Sequence, residues 1–227
     1  MNYITLNGVK STDVKGLMIQ SLPPVRKPGK RTSIETIDGR DGDIVTVLGY
    51  EAYDKECKIG LFGDFDIDAV IDFFDSEGEV VFSNEKGKFY RYQILDGIDF
   101  ERLLRFREAI VKFHVQPFKY SDVDKEVTYH PASNFIQIYN RGNKYSKPVY
   151  IIHGTGTVVF NGVTIHFDGF TRVTIDTENL EASNGDILLN RYVYGDYDSL
   201  FLDVGMNKLE WTGTVTEITV KNFSRWI

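Results

Sequence analysis

Short runs in which apolar and polar residues alternate dominate the chain. In "NYITLNG", at residues 2–8, Ile4 and Leu6 fall on one side of an extended chain and their polar neighbours on the other. Successive side chains of a strand point to opposite faces, so such runs predict half-buried β-strands. Similar runs are "GLMIQSL", "TSIETI", "DIVTVLGY" and "YDKECKIGLFG". The pattern predicts a mainly β protein.

One segment breaks the alternation and predicts a helix at about residues 65–77. Its apolar residues recur at spacings of three and four, which is the core-facing stripe of an amphipathic helix. Asp64 or Asp66 can cap its start, and Gly78 is placed to end it. The stripe consists of Ile67, Val70, Ile71 and Phe74. A second run, at 101–108, does not alternate cleanly and is compatible with either a helix or the beginning of the strand that follows.

A domain boundary is expected where periodicity fades. Residues 117–133 begin and end near prolines and show little regular pattern, which is typical of a connecting segment. The predicted organisation is a first domain at 1–120, a linker at 121–133 and a second domain at 134–227.

The second domain is predicted to be all β. Eight short alternating runs follow one another within about ninety-five residues, and Gly or Asn separates most of them. Asn161-Gly162 between two β-branched runs is the signature of a type I′ hairpin. This density of short strands is typical of a β-sandwich.

Composition narrows the class of protein. The chain has 227 residues, a net charge of −7 and a single cysteine, Cys57. An acidic chain is a poor candidate for specific nucleic-acid binding, and one cysteine excludes both an intramolecular disulfide and a multi-cysteine zinc site. No run approaches the ~20 apolar residues of a membrane span, so no membrane association is expected.

The acidic, glycine-rich stretch "ETIDGRDGDIV" at residues 35–45 is the first candidate for chemistry. A calcium loop needs ligands at alternate positions and a terminal glutamate, whereas Asp38, Asp41 and Asp43 are spaced by three and two. A phosphate-binding loop should open a helix, and here a strand follows. Asp-Gly pairs are also common turn residues. The favoured interpretation is a structural turn with no metal and no cofactor.

Other groups of residues that could carry chemistry give weaker signals. The four histidines have no metal-ligand spacing, and no serine lies in a nucleophile elbow. A pair of catalytic carboxylates, as in a glycosidase, stays open because the chain has 33 acidic residues. A carbohydrate-binding face is the more serious alternative, since Tyr192, Tyr194 and Tyr197 crowd one segment. The same tyrosines are compatible with packing on a core.

Charge is distributed in two blocks. Residues 26–31 carry four basic side chains, and residues 64–79 carry seven acidic side chains and no basic one. Each block is compatible with a solvated surface. The alternative is that the two blocks meet between subunits.

Several motifs, in this order, resemble the distal tail proteins of long-tailed phages that infect Gram-positive bacteria. They include "TIDGRDGDI" after a basic loop, the helix followed by "KFYRYQIL", and "VKFHVQPFKY" at the end of the first half. "IYNRGNKYSKPVYIIHGTG" opens the second half, and "IDTENLEA" and "FLDVGMNKLEWTG" lie near the end. Together these pieces extend over most of the chain.

The resemblance implies an N-terminal β domain with one helix, similar to tail-tube proteins, and a C-terminal galectin-like β-sandwich. It also implies a non-enzymatic hexameric ring in the virion, assembled in the host bacterial cytoplasm. The implied partners are the tail tube protein, a tail-associated lysin or tip protein, and receptor-binding or baseplate proteins. A cell-wall carbohydrate-binding β-sandwich is the alternative. The residues expected at subunit interfaces are Arg26, Lys27, Lys30, Arg31, Arg40, Asp41, Asp68, Asp72 and Asp75.

Overall fold

A computed structural model describes all 227 residues and confirms a mainly β chain. The first strands are β1 (Ile4–Leu6), β2 (Val9–Lys10), β3 (Leu17–Ser21), β4 (Lys30–Thr36), β5 (Asp43–Tyr50), β6 (Tyr53–Leu61), β7 (Gly78–Phe82), β8 (Lys88–Gln93), β9 (Glu108–Ser121) and β10 (Glu126–Tyr129). They are followed by β11 (Phe135–Asn140), β12 (Val149–Phe160), β13 (Val163–Phe167), β14 (Arg172–Asp176), β15 (Glu181–Asn184), β16 (Ile187–Leu188), β17 (Val193–Tyr194), β18 (Gly205–Lys221) and β19 (Arg225–Trp226). The α-helices are α1 (Ile67–Phe74) and α2 (Phe100–Phe106), and short 3-10 helices span Ser11–Asp13, Asn190–Tyr192 and Tyr197–Leu200.

The chain divides into two compact units, residues 1–119 with residue 227, and residues 120–226. The segment at 121–133, expected to be a linker, contains strand β10, which pairs antiparallel with the end of β18. Strand β10 has four residues, which is too short for alternation in the sequence to indicate a strand. Its pairing with β18 is what makes this segment a strand.

The first unit is built on a sheet in the order β2-β1-β7-β8-β9-β6-β3. Helix residues Val70, Phe74 and Leu103 belong to the same hydrophobic core as the inward residues of these strands. The helices therefore cover one face of the sheet. They bury the apolar side chains that alternation along the strands places on that face.

Helix α1 is shorter than the predicted 65–77, and its buried stripe differs by one residue. The Asp66 side chain accepts hydrogen bonds from the backbone N–H groups of Asp68 and Ala69, at 3.1 and 3.2 Å, so the predicted cap is confirmed. Phe73 is buried, whereas Ile71 is exposed. In a helix of two turns, the direction from which the sheet approaches decides which neighbouring positions are covered.

Helix α2 corrects the expectation of one helix and confirms the helical alternative for the run at 101–108. The Asp99 side chain caps it by accepting a hydrogen bond from the Arg102 backbone N–H at 2.8 Å. Arg107 takes a left-handed conformation (φ 61°), which ends the helix directly before β9.

The second unit has two layers that share two long strands. The first half of β12 pairs with β14, and its second half pairs with β13. Strand β18 pairs with β11 through its first part and with β10 through its last part. Each of these strands covers two of the eight short runs predicted as separate strands, "PVYIIHG" and "GTVVF" for β12 and "KLEWTG" and "VTEITVKNF" for β18. Those predictions are wrong in that respect because the chain continues through the bend.

Strand β12 bends so strongly that its two halves pack on opposite sides of the core of this unit. The rings of Tyr150 and Phe160, ten residues apart on the strand, have centroids 5.3 Å apart. A straight strand would separate them by about 33 Å, so the two halves of β12 face each other across the core. The predicted Asn161-Gly162 hairpin is confirmed, with positive φ at both residues and Phe160 paired with Val163. The likeness of the first domain to tail-tube proteins and of the second domain to galectins stays a prediction.

Candidate assembly surface

Strands β4 and β5 form a two-stranded sheet of their own in the first unit. Their register pairs Ile34 with Val45 and Thr32 with Val47. Directly paired residues of an antiparallel ladder share one face, so Ile34, Val45 and Val47 lie together on the same side. Ser33, Glu35, Ile44 and Thr46 lie on the opposite side by the same alternation. The side with Ile34, Val45 and Val47 is the more apolar of the two and is called the apolar face.

The apolar face of this hairpin is uncovered. Ile34, Val45 and Val47 are 60, 56 and 52% exposed, respectively. A lone two-stranded hairpin is at best marginally stable in water, and contiguous exposed apolar side chains mark interaction surfaces. The sequence predicts the alternation of these strands but does not reveal that no other element packs on their apolar side.

The tip of the hairpin is the turn predicted for "IDGRDG". The backbone N–H of Arg40 donates to the Ile37 carbonyl at 3.1 Å, and Gly39 and Gly42 have φ of 82° and 78°. The Thr36 hydroxyl donates to the Asp43 carboxylate at 2.9 Å across the base of the turn. No group of three or more His, Cys, Asp or Glu side chains in the chain is arranged to hold a metal ion.

Side chains of the first unit donate three hydrogen bonds to the backbone of the basic loop that leads into the hairpin. The Asn84 side chain donates to the Pro23 carbonyl at 2.9 Å, and Lys55 Nζ donates to the Pro24 carbonyl at 3.4 Å. The Tyr53 hydroxyl donates to the Arg26 carbonyl at 3.4 Å. These bonds hold the backbone at residues 23–26 while the Arg26 side chain stays exposed.

Lys55 belongs to a buried charged cluster with Glu85, Lys119 and Tyr90. The Glu85 carboxylate accepts hydrogen bonds from Lys55 Nζ at 3.1 Å, from Lys119 Nζ at 2.6 Å and from the Tyr90 hydroxyl at 2.8 Å. The Lys55 ammonium also lies 4.6 Å from the centroid of the Tyr90 ring. The four side chains are almost wholly buried, so each charge depends on the others for the solvation that water no longer provides.

Burial and pairing oppose each other in this cluster. Burial lowers the pKa of Lys55, and the nearby Glu85 carboxylate only partly restores it. Burial alone would raise the pKa of Glu85, but hydrogen bonds from Lys119 and Tyr90 and the charge of Lys55 outweigh it, so that this pKa is lowered. Glu85 is therefore held as a carboxylate.

A cleft of about 720 Å³ lies beside α1 on the first unit. Its lining combines apolar side chains, among them Ile71 and Leu95, with the carboxylates of Asp75, Glu77 and Asp96. Leu95 is exposed. The lining of the cleft is therefore partly apolar and partly negatively charged.

The nine predicted interface residues all lie on the surface of the first unit. Arg26 and Lys27 are in the loop as predicted, but Lys30 and Arg31 are the first residues of β4 rather than of the loop. Arg40 and Asp41 lie in the hairpin turn, Asp68 and Asp72 on α1, and Asp75 at its C-terminal cap.

None of these nine side chains forms an ion pair within the chain; the ion pairs formed elsewhere on its surface include Lys58 with Glu108 and Lys221 with Glu126. The fold does not bring the basic and acidic blocks into contact with each other. Sequence reasoning missed the hairpin face and the Glu85 cluster. The one local signal for the cluster is Lys55, which alternates in phase with buried Cys57 and Ile59.

Neither α-helix is longer than eight residues, and no helix has the length and apolar character required to cross a membrane. The chain matches no family model and no curated protein sequence. Among solved structures, it is similar to the crystal structure of the SPP1 Dit protein (gp 19.1), described as a paradigm of the hub adsorption apparatus in phages that infect Gram-positive bacteria. The TM-score is 0.62 at 16% sequence identity, over 97% of this chain and 98% of that chain. The chain therefore has a Dit-like fold along nearly its whole length.

Proposed function

We propose that this chain is a structural subunit of a phage tail, and that it assembles a hexameric ring at the distal end of the tail tube. The ring would be the hub that connects the tube to the tail tip or baseplate and to the host-adsorption apparatus, in the virion of a phage or prophage of a Gram-positive bacterium. The observation that carries the proposal is the uncovered apolar face of the β4–β5 hairpin. The Dit-like fold supports it.

A closed cyclic ring requires two different surfaces on each subunit. The hairpin and the basic loop before it form the first surface. The cleft beside α1 is the second, because its apolar and negatively charged lining complements the exposed Val25 and the charges of Arg26 and Lys27. Exposed ion pairs contribute only ~0–1 kcal/mol each, so they set the register of neighbouring subunits.

Apolar contacts then supply most of the stability of the ring. Burying a Val or Ile side chain completely is worth about 1.5–3 kcal/mol, and each subunit offers three on the hairpin. In the proposed subunit, the first unit forms the ring, and the second unit, which includes β10 from the segment at 121–133, forms the second domain. The proposed partners are the tail tube protein, a tail-associated lysin or tip protein, and receptor-binding or baseplate proteins.

An enzymatic role is not proposed. Cys57 is fully buried, and burial raises the pKa of its thiol to about 12, so it is not an available nucleophile. The neighbour in fold is described as a hub protein. A carbohydrate-binding role is the second candidate and rests on a different part of the chain, described below.

Light scattering coupled to size-exclusion chromatography tests the ring. We expect a hexamer, or a concentration-dependent equilibrium that leads to it. The double variant Ile34→Thr, Val45→Thr keeps β-branched residues but makes the apolar face polar, and should dissociate the ring. The control is Ser33→Ala, Thr46→Ala on the opposite face of the same hairpin, which should assemble as the wild type does. A strict monomer at every concentration, also in the presence of neighbouring tail proteins, would refute the proposal.

Charge exchange tests the register. Reversal of Arg26 and Lys27 to Glu should weaken assembly, and so should reversal of Asp68 and Asp72 to Lys. A mixture of the two variants should recover assembly, because opposite charges meet at every interface of a ring in which the two variants alternate. If neither reversal changes the assembly, the charged blocks have no part in the interface.

A further inference from the structure

A second cleft, of about 440 Å³, lies entirely within the second unit, where β12, β13 and β17 meet. Its lining includes Thr157, His166, Asp168, Arg191, Tyr192 and Tyr194. The volume falls in the ~300–1,000 Å³ range of small-molecule sites. It does not involve the hairpin or the basic loop, so an inference from it does not rest on ring assembly.

Strand pairing places an exposed ring at the mouth of this cleft. Tyr194 pairs with Thr164 across β17 and β13, while the adjacent pair, Val193 with Ile165, is buried. Tyr194 therefore points outward, and it is 57% exposed. Its ring makes a T-shaped contact with His166 at 5.6 Å between centroids, which supports the ring while more than half of the residue stays exposed.

The histidine beside Tyr194 is held in place. The Thr157 hydroxyl and His166 Nδ1 lie 3.1 Å apart and form a hydrogen bond. Thr157 and His166 are direct partners on β12 and β13. The aromatic platform is thus supported by regular strands rather than by a loop, which favours a preformed site.

The lining of the cleft around Tyr192 is also aromatic. The Tyr192 ring packs against Phe170 at 5.4 Å between centroids, and Phe170 packs against Phe167 at 5.6 Å. The Arg191 guanidinium lies 4.7 Å from the centroid of the Tyr192 ring and donates to its hydroxyl at 2.7 Å. These contacts fix the direction of the guanidinium and leave its other N–H groups available.

One carboxylate and one guanidinium line the cleft without pairing. The Asp168 side chain makes no hydrogen bond or ion pair, and the only partner of the Arg191 guanidinium is Tyr192. Because Asp168 and Arg191 line one cleft without pairing with each other, the carboxylate can accept hydrogen bonds from a ligand and the guanidinium can donate them. Since the two charges cancel, the site does not favour an anion or a cation.

We propose that this cleft binds a neutral saccharide, with Tyr194 as the stacking platform and Asp168 and Arg191 as ligands of ring hydroxyls. The face of an aromatic ring carries a partial negative charge, and it attracts the polarised C–H groups on the apolar side of a pyranose. A sugar hydroxyl both donates and accepts, so adjacent hydroxyls satisfy the carboxylate and the guanidinium together. Because the charges of Asp168 and Arg191 cancel, the cleft offers phosphates and acidic sugars no net electrostatic attraction.

Saturation-transfer-difference NMR on the full chain tests the proposal. The probes are glucose, galactose, rhamnose and N-acetylglucosamine, with glucuronate and inorganic phosphate as charged comparisons. We expect saturation transfer to at least one neutral sugar and none to the charged probes. Absence of transfer to every neutral sugar, or transfer confined to the charged probes, would overturn the proposal.

Variants then assign the binding to this cleft. Tyr194→Ala should weaken binding about ten-fold, the amount expected for loss of an aromatic contact, whereas Tyr194→Phe should retain most of it. Asp168→Asn should also weaken binding. The matched control is Tyr139→Ala, because Tyr139 is 55% exposed on β11 of the same unit but lies outside the cleft. Equal binding by wild type and Tyr194→Ala would exclude this cleft as the site.

Discussion

Lys55 and Glu85 form a buried ion pair, with 3.1 Å between Nζ and Oε2 and side chains that are 1% and 5% exposed. The pair connects the core of the first unit to the loop before the hairpin, because Lys55 also donates to the Pro24 carbonyl. A buried pair is costly to break, since the remaining charge has neither partner nor water. The pair therefore couples the stability of the unit to the position of the proposed interface.

Replacement of Glu85 by Ala should destabilise the first unit by about 3–5 kcal/mol, because Lys55 and Lys119 would both lose their counter-charge. Urea denaturation followed by circular dichroism measures the change. The control is Asp64→Ala, which removes an exposed pair with Lys15 and should cost no more than ~1 kcal/mol. Similar costs for the two variants would contradict the assigned role of Glu85.

The contribution of Glu85 should depend on pH in the acid range. Its pKa is lowered in the folded chain, whereas that of an unfolded glutamate is about 4.3. Stability from this group is therefore fully present above about pH 4.3 and is lost as the pH falls through the folded pKa. The difference in urea midpoint between wild type and Glu85→Gln should shrink as the pH is lowered from about 7 to about 3. A constant difference over this range would indicate that folding does not change the pKa of Glu85.

Cys57 should be unreactive in the native protein. It is fully buried, its thiol donates to the Ser21 carbonyl at 3.2 Å, and burial raises its pKa to about 12. Thiolate, the reactive form, is therefore scarce at neutral pH. A thiol-specific chromogenic reagent should detect no cysteine before unfolding and one per chain in denaturant. Rapid reaction of the native protein would show that the core of the first unit opens readily.

Gly213 should be irreplaceable at the bend shared by the two layers of the second unit. It has a φ of +89°, and an added Cβ would lie 2.3 Å from the Thr157 carbonyl oxygen on the neighbouring strand. Gly169 is the matched control, since it has a φ of +79° but open space around an added Cβ. Gly169→Ala should cost about 1–2 kcal/mol from backbone strain alone.

Gly213→Ala should exceed that cost by a further ~1–3 kcal/mol, because the two strands must separate to admit the methyl group. Trp211 fluorescence during urea denaturation reports on this unit, since the ring packs on Phe160 in its core. If the two substitutions cost the same, the close approach of β12 and β18 at the bend is not required for stability.

Local periodicity predicted much of the fold. The two-residue period identified most strands, and the spacing of Val70 and Phe74 identified α1. The Asn161-Gly162 turn was predicted because both residues tolerate the positive φ that a tight hairpin requires. These features depend on residues close together in the chain, so the sequence alone contains them.

Features that depend on distant residues were not predictable in this way. Alternation placed Lys55 on the buried face of β6, but nothing nearby in the chain identified Glu85 or Lys119 as its partners. Likewise, the run at 101–108 was compatible with strand or helix until its capping by Asp99 and the packing of Leu103 decided it. Long-range contacts overrode weak local preferences in both cases.

The sequence by itself determined a mainly β chain, its acidic charge, the two charged blocks and the hairpin turn at Arg40. Only the tertiary structure decided that Ile34, Val45 and Val47 remain uncovered and that Tyr194, Asp168 and Arg191 line one cleft. The physical reason is that periodicity states which side chains share a face of a strand. Whether another element covers that face is settled by contacts between residues far apart in the chain, and the proposed functions rest on the faces left open.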